Sequence, residues 1–105
     1  MTEPTLSLAA QAAAMQAVMH LTRLVAAAGA SAAPNWTVDK AGAVTGEFTG
    51  PRALIDLDAW RRLVGPHSTW SDRTHVGQRW TIGVLVQDVM VRLVAIAPTR
   101  TAVPA

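Results

Sequence analysis

The clearest alternation of apolar and polar positions lies in residues 79–97, RWTIGVLVQDVMVRLVAIA. Successive side chains of a strand face opposite sides of a sheet, and directly opposed residues share a face. Two strands joined by a turn at Gln87 and Asp88 place only apolar residues on one face, in the pairs Val86–Val89, Val84–Val91, Ile82–Leu93 and Trp80–Ala95. A shift of one residue would mix the two faces, so the pattern predicts a core hairpin in this register.

The second face of this hairpin is mixed. Its predicted pairs are Leu85–Met90, Gly83–Arg92, Thr81–Val94 and Arg79–Ile96. The Gln-Asp turn differs from the Asn-Gly and Asp-Gly sequences that two-residue loops prefer. The hairpin is therefore predicted from its hydrophobic pattern rather than from its turn.

An alanine-rich helix is predicted over residues 6–28, with Thr5 or Ser7 as its N-cap and Gly29 as its stop. Its apolar side chains form a broad arc and a second, smaller patch, separated by one narrow polar stripe. The stripe consists of Gln16, His20 and Arg23, and the patch consists of Leu8, Met15 and Met19. We expect the arc to pack on a sheet, whereas the patch has no obvious cover.

The middle of the chain indicates a hairpin, a second helix and a short strand. Residues 36–38 and 44–49 alternate like strands around a turn at 39–42, and Gly46 falls among the inward positions, where a bulge or a close helix contact is expected. The second helix opens at Gly50-Pro51, with Pro51 in its first position, and stops at Gly65-Pro66. Asp58 and Arg62 within it are spaced for an ion pair. Residues 67–70 indicate a strand and residues 71–77 a polar loop.

These elements predict an α+β domain in the order α-β-β-α-β-β-β. Adjacent strands with helices between them favour a mostly antiparallel sheet of four to five strands, with two helices on one face. A chain of 105 residues forms a single domain, and its core is expected to span about residues 6–97. Residues 1–4 and 98–105 are predicted to be flexible tails.

Four stretches of the chain carry a resemblance to a known group. The alanine-rich helix, the hairpin WTVDKAGAVTGEF, the helix end AWRRLVG and the terminal VLVQDVMVRLVAIA resemble small uncharacterised proteins of actinobacterial phages and mobile elements. The resemblance covers most of the chain and rests on structural motifs. That group has no assigned activity, so no function is carried over from the resemblance. We expect an accessory factor of a phage or mobile element.

Composition narrows the possible classes of protein. Half of the residues are hydrophobic and 15% are charged, which is typical of a folded domain. The absence of cysteine excludes disulfides, thiolate metal ligands and thiol nucleophiles, and it fits the cytoplasmic location that we expect. The N-terminal segment carries Glu3 without a nearby Lys or Arg, and polar residues interrupt its apolar stretch. We therefore expect neither a signal peptide nor a membrane span.

No pattern of catalytic or metal-binding residues stands out. The histidines are His20, His67 and His75, and their spacings are not those of zinc sites. His67 and His75 flank one loop and would approach Asp72, but ordinary polar loop residues are the simpler interpretation. Asp56 and Asp58 point away from each other on a helix, so they do not form a carboxylate pair. We expect a protein that is not an enzyme and uses no cofactor or metal.

Nucleic-acid binding is the alternative function. The net charge is +2, and the candidate contacts are Arg61, Arg62, Arg73, Arg79 and Arg92, with Trp70 available for stacking. A sheet that binds single strands displays aromatic side chains on its open face, whereas the mixed face of the terminal hairpin displays none. Dispersed arginines are more simply a solvated surface.

Protein binding accounts for more of the pattern. The candidate interface residues are Leu8, Met15 and Met19 on the first helix and Leu85, Met90, Val94 and Ile96 on the mixed face of the hairpin. Exposed apolar patches of this kind mark partner sites. Because two helices are too few to cover both surfaces, the sequence predicts a protein-interaction module. Its most economical partner is a second copy, in a homodimer, and its alternative partner is another protein.

Overall fold

The fold is a five-stranded sheet with two helices on one face. The computed structural model describes residues 7–30 and 32–98, with α1 (Leu8–Ala27), β1 (Asn35–Val38), β2 (Val44–Phe48), α2 (Ala53–Arg61), β3 (Ser68–Thr74), β4 (Gly77–Val86) and β5 (Val89–Pro98). The strands lie in the order β1-β2-β5-β4-β3, and only the pair β2–β5 is parallel. The predicted α+β class and element order are confirmed. The predicted tails lie outside the described residues, except Pro98, which ends β5.

The hairpin of β4 and β5 has the predicted register. Every predicted pair is present, and the pairing continues beyond them to Gly77–Pro98. Gln87 and Asp88 form the turn with φ angles of 50° and 66°. These left-handed values are what a two-residue turn of type I′ requires at both positions. The hydrophobic pattern therefore sets the register, although the turn sequence is unfavourable.

The core lies on the helix-covered face of the sheet. It contains Ala14, Ala17, Leu21 and Val25 of α1, Ala53, Leu57 and Trp60 of α2 with Val64 beyond it, and Val44, Phe48, Ile82, Val84, Val86, Val91, Leu93 and Ala95 of the strands. The Trp60 indole donates a hydrogen bond from Nε1 to the carbonyl oxygen of Ala32 at 2.9 Å. Its ring meets Phe48 edge-on at 5.5 Å and lies 5.9 Å from Trp36. Trp60 thus ties α2 to β1, β2 and the segment that follows α1.

The helix ends agree with the sequence in one helix and differ in the other. Ser7 caps α1 by accepting a hydrogen bond from the Ala10 amide at 3.0 Å, and Gly29 follows the helix with a φ of 99°. In α2 the predicted position of Pro51 is wrong, because the helix begins at Ala53. Pro51 lies in the turn that precedes the helix.

The prediction of a loop at residues 71–77 is also wrong. β3 continues to Thr74 and pairs with β4 along its whole length. Only His75 and Val76 form the turn, where the Thr74 hydroxyl accepts hydrogen bonds from the amides of Val76 and Gly77 at 3.3 and 3.1 Å. β3 is an edge strand with mostly exposed side chains. Its sequence therefore needs no apolar alternation, and charged side chains suit an edge.

Gly46 marks a close approach within the sheet. A Cβ atom at this position would lie 2.8 Å from Cζ3 of Trp36 and 2.9 Å from Cγ of Pro34. The pairing of β1 with β2 is regular through Gly46, so no bulge is present. The close contact that the sequence predicts comes from Trp36 and Pro34 rather than from a helix.

Candidate interaction surface on the open face of the sheet

The face of the sheet opposite the helices is the candidate functional surface. Strand alternation and register place on it Asn35 and Thr37 of β1, Thr45 and Glu47 of β2, Met90, Arg92, Val94 and Ile96 of β5, Arg79, Thr81, Gly83 and Leu85 of β4, and Ser68, Trp70 and Asp72 of β3. We call this surface the open face. Within residues 7–30 and 32–98, both helices pack on the other side of the sheet.

A groove of about 500 Å³ runs across the middle of the open face. It is lined by Thr45, Glu47, Trp70, Arg79, Thr81, Arg92, Val94 and Ile96. Polar, charged, aliphatic and aromatic side chains therefore meet in one concave surface. Such a mixture of side chains is typical of surfaces that bind a partner.

Trp70 brings an aromatic side chain to the open face. The hairpin of β4 and β5 supplies none, as predicted, but β3 adds Trp70 next to it. A Cβ atom on Gly83 would lie 3.0 Å from Cη2 and from Cζ3 of the indole, so the ring lies against the backbone of β4. The side chain remains 44% exposed. Thr81, which is opposite Trp70 and lies on the predicted mixed face, is only 4% exposed.

The charges of the open face fall into two groups. Arg79 and Asp72 form a two-point ion pair, with Nε to Oδ1 at 3.0 Å and Nη2 to Oδ2 at 2.5 Å. The hydrogen bonds that Arg79 donates to Asp72 raise the pKa of Arg79 above its ordinary value. Glu47 and Arg92 are exposed, and neither has an ion-pair partner within the described ranges. Glu47 and Arg92 are therefore two charged side chains of opposite sign that are available to pair with groups of a partner.

The predicted apolar residues of the mixed face are accessible to different degrees. Leu85 is 66% exposed and Met90 38% exposed, and both lie beside the β4–β5 turn. Val94 and Ile96 are half-buried in the groove. An apolar strip therefore extends along β5 from Met90 to Ile96, and it is interrupted by Arg92.

The predicted patch on α1 is also exposed, but it lies elsewhere. Leu8, Met15 and Met19 are 84%, 59% and 52% exposed, whereas the opposite side of α1 is buried against the sheet. The α1 patch and the open face therefore lie on opposite sides of the molecule. They do not form one continuous surface.

The predicted nucleic-acid contacts are divided between both sides of the sheet. Arg61 and Arg62 of α2 pair with Asp58 at 2.6 and 2.9 Å, which confirms the predicted pair of Asp58 with Arg62. The hydrogen bond from Arg61 is the main cause that holds the pKa of Asp58 below its ordinary value. Arg73 is exposed on the helix-covered side of β3, while Arg79 and Arg92 lie on the open face. The five arginines do not form one basic surface.

Metal binding and membrane insertion have no support in the part of the chain that the structure describes. No three His, Cys, Asp or Glu side chains there are grouped to hold a metal ion. His67 instead places Nδ1 2.7 Å from the carbonyl oxygen of Gly65. None of the described helices has the length and apolar composition needed to cross a membrane.

Comparison with protein-family models, curated proteins and solved structures finds no match to this chain. The functional argument therefore depends on the surface itself.

Proposed function

We propose that this chain is a non-enzymatic protein-interaction module that forms a homodimer through the open face of its sheet. The observation that carries the proposal is a sheet face that no helix among the described residues covers and that combines exposed apolar side chains with two available charges. Its apolar residues are Trp70, Leu85, Met90, Val94 and Ile96. Glu47 and Arg92 add opposite charges beside them. Apolar and aromatic surface with polar groups around it is typical of protein–protein interfaces.

A second copy of the chain is the partner that fits this face. A surface that carries both Glu47 and Arg92 is complementary to itself, which is the requirement of a two-fold interface. The five strands cover on the order of 600 Å² in projection, at about 4.8 Å between strands and 3.3 Å per residue. Corrugation by side chains raises the accessible area above this value. It then approaches the roughly 800 Å² that each partner buries in a standard interface.

The outer side of α1 is the weaker candidate for the same role. Leu8, Met15 and Met19 lie beside exposed polar residues of the same helix, among them Gln16 and His20. An interface that joined this patch to the open face of another copy would be head-to-tail, and such contacts build rings or open chains. We therefore assign the dimer contact to the open face alone.

The resemblance to small proteins of actinobacterial phages and mobile elements supports a role as an accessory factor. In this role the protein acts by binding, without a cofactor.

The proposal is tested by placing one charge on either side of the molecule. Met90→Glu introduces a carboxylate into the open face, and Met19→Glu is the matched control because it makes the same change at an exposed methionine of α1. We expect Met90→Glu to be a folded monomer and Met19→Glu to remain a dimer in analytical ultracentrifugation, with circular dichroism to verify folding. Dissociation by Met19→Glu alone would instead assign the interface to α1.

Single-stranded nucleic acid is a second candidate ligand, because the structure adds Trp70 to a face that already carries Arg92. Stacking on an exposed aromatic ring and neutralisation of phosphates are the two contributions that such proteins use. Two observations weigh against nucleic acid as the ligand. The arginines are divided between two sides of the sheet, and the open face carries the carboxylates of Glu47 and Asp72.

Fluorescence anisotropy with a labelled oligonucleotide tests this candidate. We expect at most weak, sequence-independent binding that fades between about 50 and 200 mM salt, since only phosphate neutralisation would drive it. Affinity that persists in high salt, and that Trp70→Ala abolishes, would favour nucleic acid over the homodimer.

A further inference from the structure

The two available charges of the open face occupy a diagonal of the sheet. In the parallel pair of β2 and β5, Thr45 is opposite Arg92 and Glu47 is opposite Val94. Glu47 and Arg92 are therefore one strand and two residues apart, which corresponds to about 8 Å between their Cα atoms. They form no ion pair with each other within the chain.

We infer that two copies pack face to face about a two-fold axis that crosses β5 between Arg92 and Val94, and that Glu47 of each copy pairs with the partner's Arg92. This inference rests on the proposed function, because it specifies how the open face meets a second copy. In this arrangement the contact between Glu47 and Arg92 fixes the orientation of the two copies.

The geometry of the sheet leads to this axis. Two sheets that face each other are related by an axis that lies in the interface, and an axis across the strands superposes the open face on itself. Residues that are paired across neighbouring strands form a row across the sheet. The row that contains Arg92 then lies over the row that contains Glu47 of the partner subunit and Val94 of the partner subunit. The partner's Glu47 is displaced from Arg92 by one strand spacing, about 5 Å, in the plane of the sheet, and facing sheets lie about 10 Å apart. The arginine and glutamate side chains together are long enough to bridge this separation.

The same axis covers the apolar strip of β5. The row of Met90 comes to lie over the row of Ile96 of the partner subunit, and Val94 lies next to the axis. The strands of the two copies run in opposite directions, which is compatible with the aligned class of sheet packing. The two equivalent ion pairs lie next to the axis beside Val94, and the apolar side chains of Met90 and Ile96 lie farther out, so charge fixes the orientation and apolar burial adds stability.

Charge reversal tests the pairing. Arg92→Glu and Glu47→Arg should each weaken the dimer by tenfold or more, because each places like charges across the interface twice. The double variant with both changes restores opposite charges and should dimerise within a few-fold of the wild type. Arg73→Glu is the control, because it reverses an exposed arginine on the other side of the sheet and should leave dimerisation unchanged.

Mixing the two single variants separates pairing between copies from pairing within one chain. A mixture of Glu47→Arg and Arg92→Glu places opposite charges at both contacts of a heterodimer, so we expect dimers from two proteins that are each monomeric alone. Failure of the mixture to associate would overturn the inference. If either reversal prevents folding, the neutral variants Glu47→Gln and Arg92→Gln replace it, and an unchanged dimer affinity in both would likewise overturn the inference.

The outcomes distinguish this inference from the proposed function. A wild-type protein that is a monomer contradicts the homodimer itself. A wild-type dimer that is insensitive to every charge reversal keeps the homodimer and excludes the Glu47–Arg92 contact.

Discussion

At the scale of single residues, the turn between β4 and β5 shows a conflict between local and global preferences. Gln87 and Asp88 both have positive φ, which costs most non-glycine residues roughly 1–2 kcal/mol. The opposed apolar pairs of the hairpin fix the register nonetheless, since a shift by one residue would expose them. The turn residues therefore accept an unfavourable conformation that the strands impose.

Relief of this conflict should stabilise the protein. Asp88→Gly removes the Cβ penalty, and after the larger entropy loss of glycine on folding we expect a net gain of roughly 0.5–1 kcal/mol in the free energy of unfolding. Asp88→Ala should instead destabilise, because alanine tolerates the left-handed region less well than aspartate. Urea unfolding measures both changes. Equal shifts of the two midpoints would contradict the turn conformation.

At the scale of elements, the parts that the sequence predicted correctly are those with one buried and one accessible face. The register of β4 with β5 follows from periodicity alone, because burial selects apolar side chains at a fixed spacing. The full length of β3 was missed, since an edge strand with exposed side chains carries no such pattern. The parallel pairing of β2 with β5 also has no local signal, because it depends on where the chain returns to the sheet after α2, β3 and β4.

The attachment of α2 gives a prediction at this scale. Trp60→Phe removes the hydrogen bond to the Ala32 carbonyl and leaves a void in the core, so we expect a loss of about 2–4 kcal/mol in the free energy of unfolding. Trp80→Phe is the matched control. Trp80 is 39% exposed within β4, and its replacement should cost less than about 1 kcal/mol. Thermal or urea unfolding measures the loss of stability in both variants. A Trp80 variant that is as unstable as the Trp60 variant would contradict the role given to α2.

At the scale of the whole molecule, the candidate site was only partly predictable. Leu85, Met90, Val94 and Ile96 were placed on one face by alternation within a single hairpin. Glu47 and Trp70 belong to β2 and β3, so their arrival on that face depends on strand order, which the pattern of one strand does not determine. The packing of α1 on the other side of the sheet separates the open face from the α1 patch, so the two do not form one continuous surface.

The mass of the wild-type protein in solution tests the central claim most directly. Sedimentation equilibrium up to about 100 μM should give twice the chain mass of 11.1 kDa, because a specific interface of this size dissociates well below that concentration. The apparent mass should fall toward that of one chain only on dilution. A mass of one chain throughout this range would contradict the homodimer and leave the open face to a different partner.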